Sequence, residues 1–102
     1  MKTLNYWRDR IDELDRELVR LLGSRTTCAI EIGKVKAALD VQVYDPDREE
    51  EVMNNVVAAA SGELAPDAIR RIFERIIDET RRAERQHRKL LDEEARVKEK
   101  EP

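Results

Sequence analysis

The residues from Leu4 to Leu39 constrain this chain more than any others. Taken in steps of three and four, Leu4, Trp7, Ile11, Leu14, Leu18, Leu21, Arg25, Cys28, Ile32, Val35 and Leu39 form one uninterrupted heptad seam. The seam is apolar except for a single cation, Arg25. No proline breaks it, although Gly23 and Gly33 fall inside it and each costs a helix about 1 kcal/mol relative to alanine. At ~1.5 Å per residue the stretch makes a rod roughly 54 Å long. A compact domain of about 100 residues has a radius of gyration near 13 Å, so this rod outreaches any globule its own chain can build. The residues left over are too few to cover the seam. The economical cover is a second copy of the chain laid along the same helix, so the seam predicts an obligate homodimer.

The rest of the chain reads as two more helices. Residues 40–44 are too short and mixed for an element and form a connection. Asp45 suits an N-cap and Pro46 the first helical position, where a missing N–H is not needed. The second helix carries Val52, Met53, Val56, Val57 and Ala60 on one stripe and ends at Ser61-Gly62. A third opens near Pro66-Asp67, with a stripe running from Ile69 through Ile72, Phe73, Ile76, Ile77, Thr80, Ala83, Glu84 and His87 to Leu91. Charge dominates from Asp92 to Pro102, and the third helix is expected to fray there into a mobile tail. The expected organisation is thus all-α: one helical domain over residues 1–91, with a very long first helix, and a charged tail over 92–102.

Charged residues make up 42% of the chain and aromatics 4%, a balance that would suggest disorder were the apolar positions not so periodic. The charge is therefore read as solvated helix faces. A net charge of −3 gives no reason to expect nucleic acid or an anionic membrane as partner. No apolar run is long enough to span a bilayer, and Met1-Lys2-Thr3 leads straight into the amphipathic pattern without a signal-peptide core. Cys28, the lone cysteine, cannot form an internal disulfide, and its seam position reads as a buried reduced thiol. Together these features point to the cytoplasm. There is no glycine-rich phosphate loop, no His/Cys ligand set and no nucleophile–histidine–acid constellation. The one histidine, His87, reads as a surface or interface residue. Any catalysis is expected to need no metal, no cofactor and no covalent intermediate.

The informative residues are polar ones standing on apolar stripes. Arg25 lies on the seam itself. Lys36 follows three turns later on nearly the same face, about 16 Å along the axis. Arg48 and Glu49 extend the inward stripe of the second helix backwards, and Thr80 and Glu84 are an i, i+4 pair on the inward face of the third. Each also has a plainer reading. Arg25 can set coiled-coil register, Lys36 can snorkel to solvent, Arg48 and Glu49 can be ordinary first-turn residues, and Thr80 and Glu84 can lie near the surface. Taken together, they send cations, carboxylates and a hydroxyl inward from three helices, and buried charges need partners. The cations exceed the anions, so a small anionic ligand is the expected missing partner. Arg8 lies about 25 Å from Arg25 along the rod and cannot reach the same small molecule. In an antiparallel dimer it can enter the partner's site.

Arg8, the stretch Arg25-x5-Glu31-Ile32-Gly33-Lys34-x-Lys36, the stretch Tyr44-Asp45-Pro46-Asp47-Arg48-Glu49 and Thr80-x3-Glu84 resemble the all-helical, AroQ-type chorismate mutases. The resemblance covers about Leu4 to Gln86. It implies an intertwined helical homodimer with two identical sites, and the rearrangement of chorismate to prephenate on the way to phenylalanine and tyrosine. It also implies roles. Arg25 and the partner's Arg8 grip carboxylates, and Lys36 contacts a carboxylate and the breaking ether oxygen. Glu49 accepts the substrate hydroxyl, with Asp45 (through its backbone) and Arg48 supporting that end. Thr80 stands where one branch of the family has serine, and Glu84 where that branch has glutamine. The same scaffold supports isochorismate-pyruvate lyases and amino-deoxychorismate mutases, and a non-catalytic dimerisation module is the alternative of another class. Association in trans with another shikimate-pathway enzyme is a further implied possibility.

Overall fold

The structure is a computed structural model and describes residues 1–100. It contains three helices, α1 (Leu4–Ala38), α2 (Pro46–Ala59) and α3 (Pro66–Lys100), and no strand among the described residues. The chain extends over 71 × 31 × 16 Å with a radius of gyration of 18.6 Å. That is well above the ~13 Å of a compact domain of this size, as the length of the seam demands.

The helix boundaries follow from local chemistry. Thr3 caps α1, its hydroxyl accepting from the Tyr6 N–H at 3.1 Å. At the other end Asp40 adopts φ 54, a left-handed conformation that asparagine and aspartate tolerate better than most residues. Around it the Val41 N–H donates to the Lys36 carbonyl at 2.8 Å and the Asp40 N–H to the Ala37 carbonyl at 3.2 Å. These two bonds close a Schellman turn. It stops α1 at Ala38, half a turn after Lys36, and brings the connecting segment back over that lysine. Asp45 caps α2 by accepting from the Arg48 N–H at 3.2 Å, and Pro46 occupies the first turn. Gly62, at φ 77, makes the turn towards α3, which opens at Pro66.

α3 is the central element. It packs against both α1 and α2, while α1 and α2 stay apart, so a gap remains between them with α3 as its floor. The core of the single chain is small: Ile77 at 8% exposure and Met53 at 9%, with Thr80 beside them. The seam of α1 is the opposite. Leu4, Trp7, Ile11, Leu14, Leu18 and Leu21 are all exposed, Leu18 at 56%. No helix among the described residues is long and apolar enough to cross a membrane.

α3 continues past Asp92 to Lys100, exposed over these residues. Asp92 precedes Arg96, and Glu94 precedes Lys98, by one turn, and basic residues close the helix, an order that suits both neighbouring charges and the helix dipole. Residues 101 and 102 of the expected tail lie outside the described residues. In the single chain Cys28 is exposed, at the edge of the space between α1 and α2.

Candidate functional site

The gap between α1 and α2 forms a cavity of about 620 Å³. Arg25, Lys36, Asp45, Arg48, Glu49, Thr80 and Glu84 all line it, so the structure gathers seven of the eight sequence-predicted residues around one space. Arg8 is the exception. It stands on the bare half of α1, exposed and outside the cavity.

Each wall has a structural reason. α1 contributes Arg25 and Lys36 from one face. The Arg25 Nη1 donates to Thr80 Oγ1 at 2.9 Å, and the Thr80 hydroxyl donates in turn to the Ile76 carbonyl at 2.7 Å. Thr80 is buried; its hydroxyl accepts from Arg25 while its own proton goes to the α3 backbone, which fixes the direction of the acceptor. Among the described residues Arg25 makes no ion pair with a carboxylate. Lys36, its side chain 22% exposed, donates to the Val43 carbonyl at 3.3 Å and stands 3.7 Å from the Asp45 carboxylate. The Schellman turn at Asp40 is what returns Val43 and Asp45 to this ammonium. Asp45 therefore has two tasks, capping α2 and holding Lys36.

Arg48 differs from its expected inward orientation. It lines the cavity at the rim, but its guanidinium pairs with Glu51 one turn on along its own helix. The inward partner on α2 is Glu49, and here the structure adds a residue that the sequence reading missed. Arg81 of α3 grips the Glu49 carboxylate with two prongs, Nε to Oε2 at 3.2 Å and Nη2 to Oε1, while its Nη1 donates to Asp78 at 3.1 Å. This contact with Glu49 holds the Arg81 guanidinium above its ordinary pKa. Arg81 sits on the flank of the inward stripe, one turn after Ile77 and one turn before Glu84, and that flanking position was the available signal.

Glu84 is half-buried on α3. Burial is the main influence raising its pKa, and Glu49 adds to the rise, while Lys36, Arg25 and Arg81 act against it. The net result is a carboxyl that keeps its proton to higher pH than an ordinary glutamate. Two of the cavity's carboxyl groups thus differ in surroundings: Glu49 is tied to a guanidinium, and Glu84 is held above its ordinary pKa by burial. Five cations (Arg25, Lys36, Arg48, Arg81, Arg85) face three carboxylates (Asp45, Glu49, Glu84) across it. Such a balance favours a small anion. No group of His, Cys, Asp and Glu that could hold a metal ion occurs among the described residues.

Residues 7–85 match the family described as chorismate mutase type II. The chain is 30% identical over 81 residues to a bifunctional chorismate mutase/prephenate dehydratase of Aquifex aeolicus, covering 76% of this chain and 22% of that protein. It is 33% identical over 78 residues to the protein of the same description from Neisseria gonorrhoeae, covering 76% and 21%. The chain thus spans about a fifth of the length of these curated relatives. A solved chorismate mutase structure from Thermus thermophilus superimposes with a TM-score of 0.78 at 31% identity, covering 82% of this chain and 96% of that one.

Proposed function

Because the chain belongs to the type II chorismate mutase family, we propose that it rearranges chorismate to prephenate, working as a homodimer whose two sites are each completed by Arg8 of the partner subunit. The observation that carries the reading is Arg25. It is a half-buried cation anchored by Thr80 and facing the cavity without a carboxylate partner. A substrate carboxylate supplies what it lacks, and the planar guanidinium suits two-pronged binding.

Chorismate is a compact dicarboxylate with one hydroxyl. Its rearrangement is pericyclic and intramolecular: an ether C–O bond breaks as a C–C bond forms. The protein's work is to hold the folded conformer and to stabilise the negative charge that grows on the ether oxygen. Arg25 and the partner's Arg8 fix the two carboxylates. The Lys36 ammonium, held by Val43 and Asp45, faces the ether oxygen, and protonated Glu84 donates a second hydrogen bond there. Glu49 accepts the substrate hydroxyl, and Arg48 closes the rim. Nothing in this sequence of events draws on a cofactor.

The dimer is supported by the six bare seam residues between Leu4 and Leu21. Burying a large apolar side chain stabilises by about 1.5–3 kcal/mol, so the exposed stripe is a large driving force for association. The fusion of the relatives' mutases to a prephenate dehydratase supports association in trans with an enzyme that consumes the product.

The test is direct. Chorismate is added to the purified protein and its absorbance followed, with prephenate identified as product. Steady loss of chorismate is expected. Chorismate left intact, with pyruvate released from isochorismate, would instead assign the lyase reaction on the same scaffold.

A further inference from the structure

The Arg81–Glu49 pair links α3 to α2 across the wall of the cavity, and the roles set out above give Arg81 none. A glutamate in the first turn of α2 has three rotatable side-chain bonds and can swing through a wide arc. Here it cannot. Two donors of one rigid guanidinium meet its two oxygens, which fixes the plane of the carboxylate as well as its position. Arg81 is braced in turn by Asp78, one turn back on α3. The series Asp78–Arg81–Glu49 therefore runs from the outer face of α3 to the cavity. Each carboxylate oxygen has two lone-pair directions, and Arg81 occupies one on each, so the other two remain for a donor arriving from the cavity. The neighbouring residue does the same for α1, since Thr80 anchors Arg25. Consecutive residues of α3 thus hold the acceptor on one helix and the cation on the other.

We propose that Arg81 is a positioning residue, holding the Glu49 carboxylate in the plane and direction in which it receives the substrate hydroxyl. The proposal rests on the reading of the cavity as a chorismate site. Arg81 does not itself touch substrate; it acts through Glu49, and without Glu49 it has nothing to position.

The test is a double-mutant cycle on the full chain: wild type, Arg81→Met, Glu49→Ala and the double variant, with Arg81→Lys as a fifth protein. Methionine keeps the apolar stem and removes the fork. Two readouts are taken: kcat/KM with chorismate, and calorimetric affinity for prephenate, which retains both carboxylates and the hydroxyl. Arg81→Met is expected to lower kcat/KM by about tenfold, a loss of the order that a misplaced binding group causes. In the Glu49→Ala background the same change is expected to cost less than about twofold, because the coupled partner is already gone. Arg81→Lys keeps the charge but not the two-pronged geometry, and is expected to recover only part of the loss. An Arg81→Met effect of equal size with and without Glu49 overturns the proposal, since it means that Arg81 touches substrate or merely supports the fold. So does an Arg81→Met protein that matches wild type. Turnover by wild type without coupling rejects the role of Arg81 alone. Coupling in prephenate binding without turnover rejects the mutase reaction alone. Absence of both turnover and binding rejects both.

Discussion

The two halves of α1 carry one continuous seam but stand in different surroundings. From Leu4 to Leu22 every residue is exposed, the large apolar ones included. From Arg25 to Ala38 the helix lies against α3, and Arg25, Lys36 and their neighbours line a cavity. Periodicity alone does not separate the halves, since the heptad runs through both. What separates them is the composition of the seam. The first half is purely apolar and can be satisfied by any matching apolar face. The second half carries Arg25 on the seam and Lys36 beside it, and such cations need particular partners. In the proposed dimer the first half meets a second chain, and the second half meets the ligand.

Breaking the first half should have the largest effect. Replacing Leu14 and Leu18 together by glutamate puts like charges into the proposed dimer seam. The single chain has little core beyond Met53 and Ile77, so loss of the partner should take the fold with it. Sedimentation velocity and circular dichroism should show loss of the dimer and of helix together, with no activity. A folded, active monomer would remove the first half of α1 from the role given to it.

Changes in the second half should leave the fold intact and strike the chemistry. Lys36→Ala removes the donor facing an oxygen that gains charge only as the bond breaks. Such losses typically lower kcat by about 10²–10³-fold. A change confined to KM would show that Lys36 binds ground state and transition state alike.

Glu84 sharpens the comparison through pH. It must be protonated to donate, and its folded-state pKa is raised, chiefly by burial. The competent fraction is therefore full below that pKa and is lost as pH rises through it. The stability term has the same sign. The folded state holds this proton more tightly than the unfolded chain, so the contribution of Glu84 is greatest at low pH and falls as pH rises through its folded value. Glu84→Gln supplies a permanent N–H donor of nearly the same shape. It should flatten the profile of kcat/KM between about pH 5 and 9 and hold activity at the alkaline end, where an unmodified glutamate of ordinary pKa ~4.3 would be ionised. A flat wild-type profile would contradict the assignment.

The smallest effect is expected at Thr80. Thr80→Val keeps the shape and removes the hydroxyl that accepts from Arg25. Loss of one such bond is worth about 1 kcal/mol, roughly fivefold in kcat/KM. No loss at all would mean that Arg25 is held by packing alone.

Much of this was legible in the residues. The heptad pattern predicts a helix from Leu4 to Leu39, and α1 ends at Ala38; Asp45 caps α2, and Pro46 and Pro66 stand at the first positions of α2 and α3. The stripes of α2 and α3 turn their central residues inward, with Met53, Ile77 and Thr80 the most buried. What was missed depended on three-dimensional detail. Asp40 closes a turn that usually calls for glycine. Arg48 turns along its own helix because Glu51 lies one turn away. Arg81 stands on the flank of the α3 stripe, and its partner Glu49 is apparent only when α2 is placed opposite it. The exposure of Cys28 depended on how far α2 and α3 reach along α1, which no local pattern specifies.

The most direct test of the central claim, that the two halves of α1 serve different chains' sites, is complementation between them. An Arg8→Ala chain and an Arg25→Ala chain are unfolded, mixed and refolded, and the heterodimer is isolated. Each parent homodimer should be nearly inactive. The heterodimer has one site with its own Arg25 and the partner's intact Arg8, so it should recover about half the wild-type activity, one competent site of two. A heterodimer as inactive as its parents would show that Arg8 and Arg25 act within one chain, and would contradict the account.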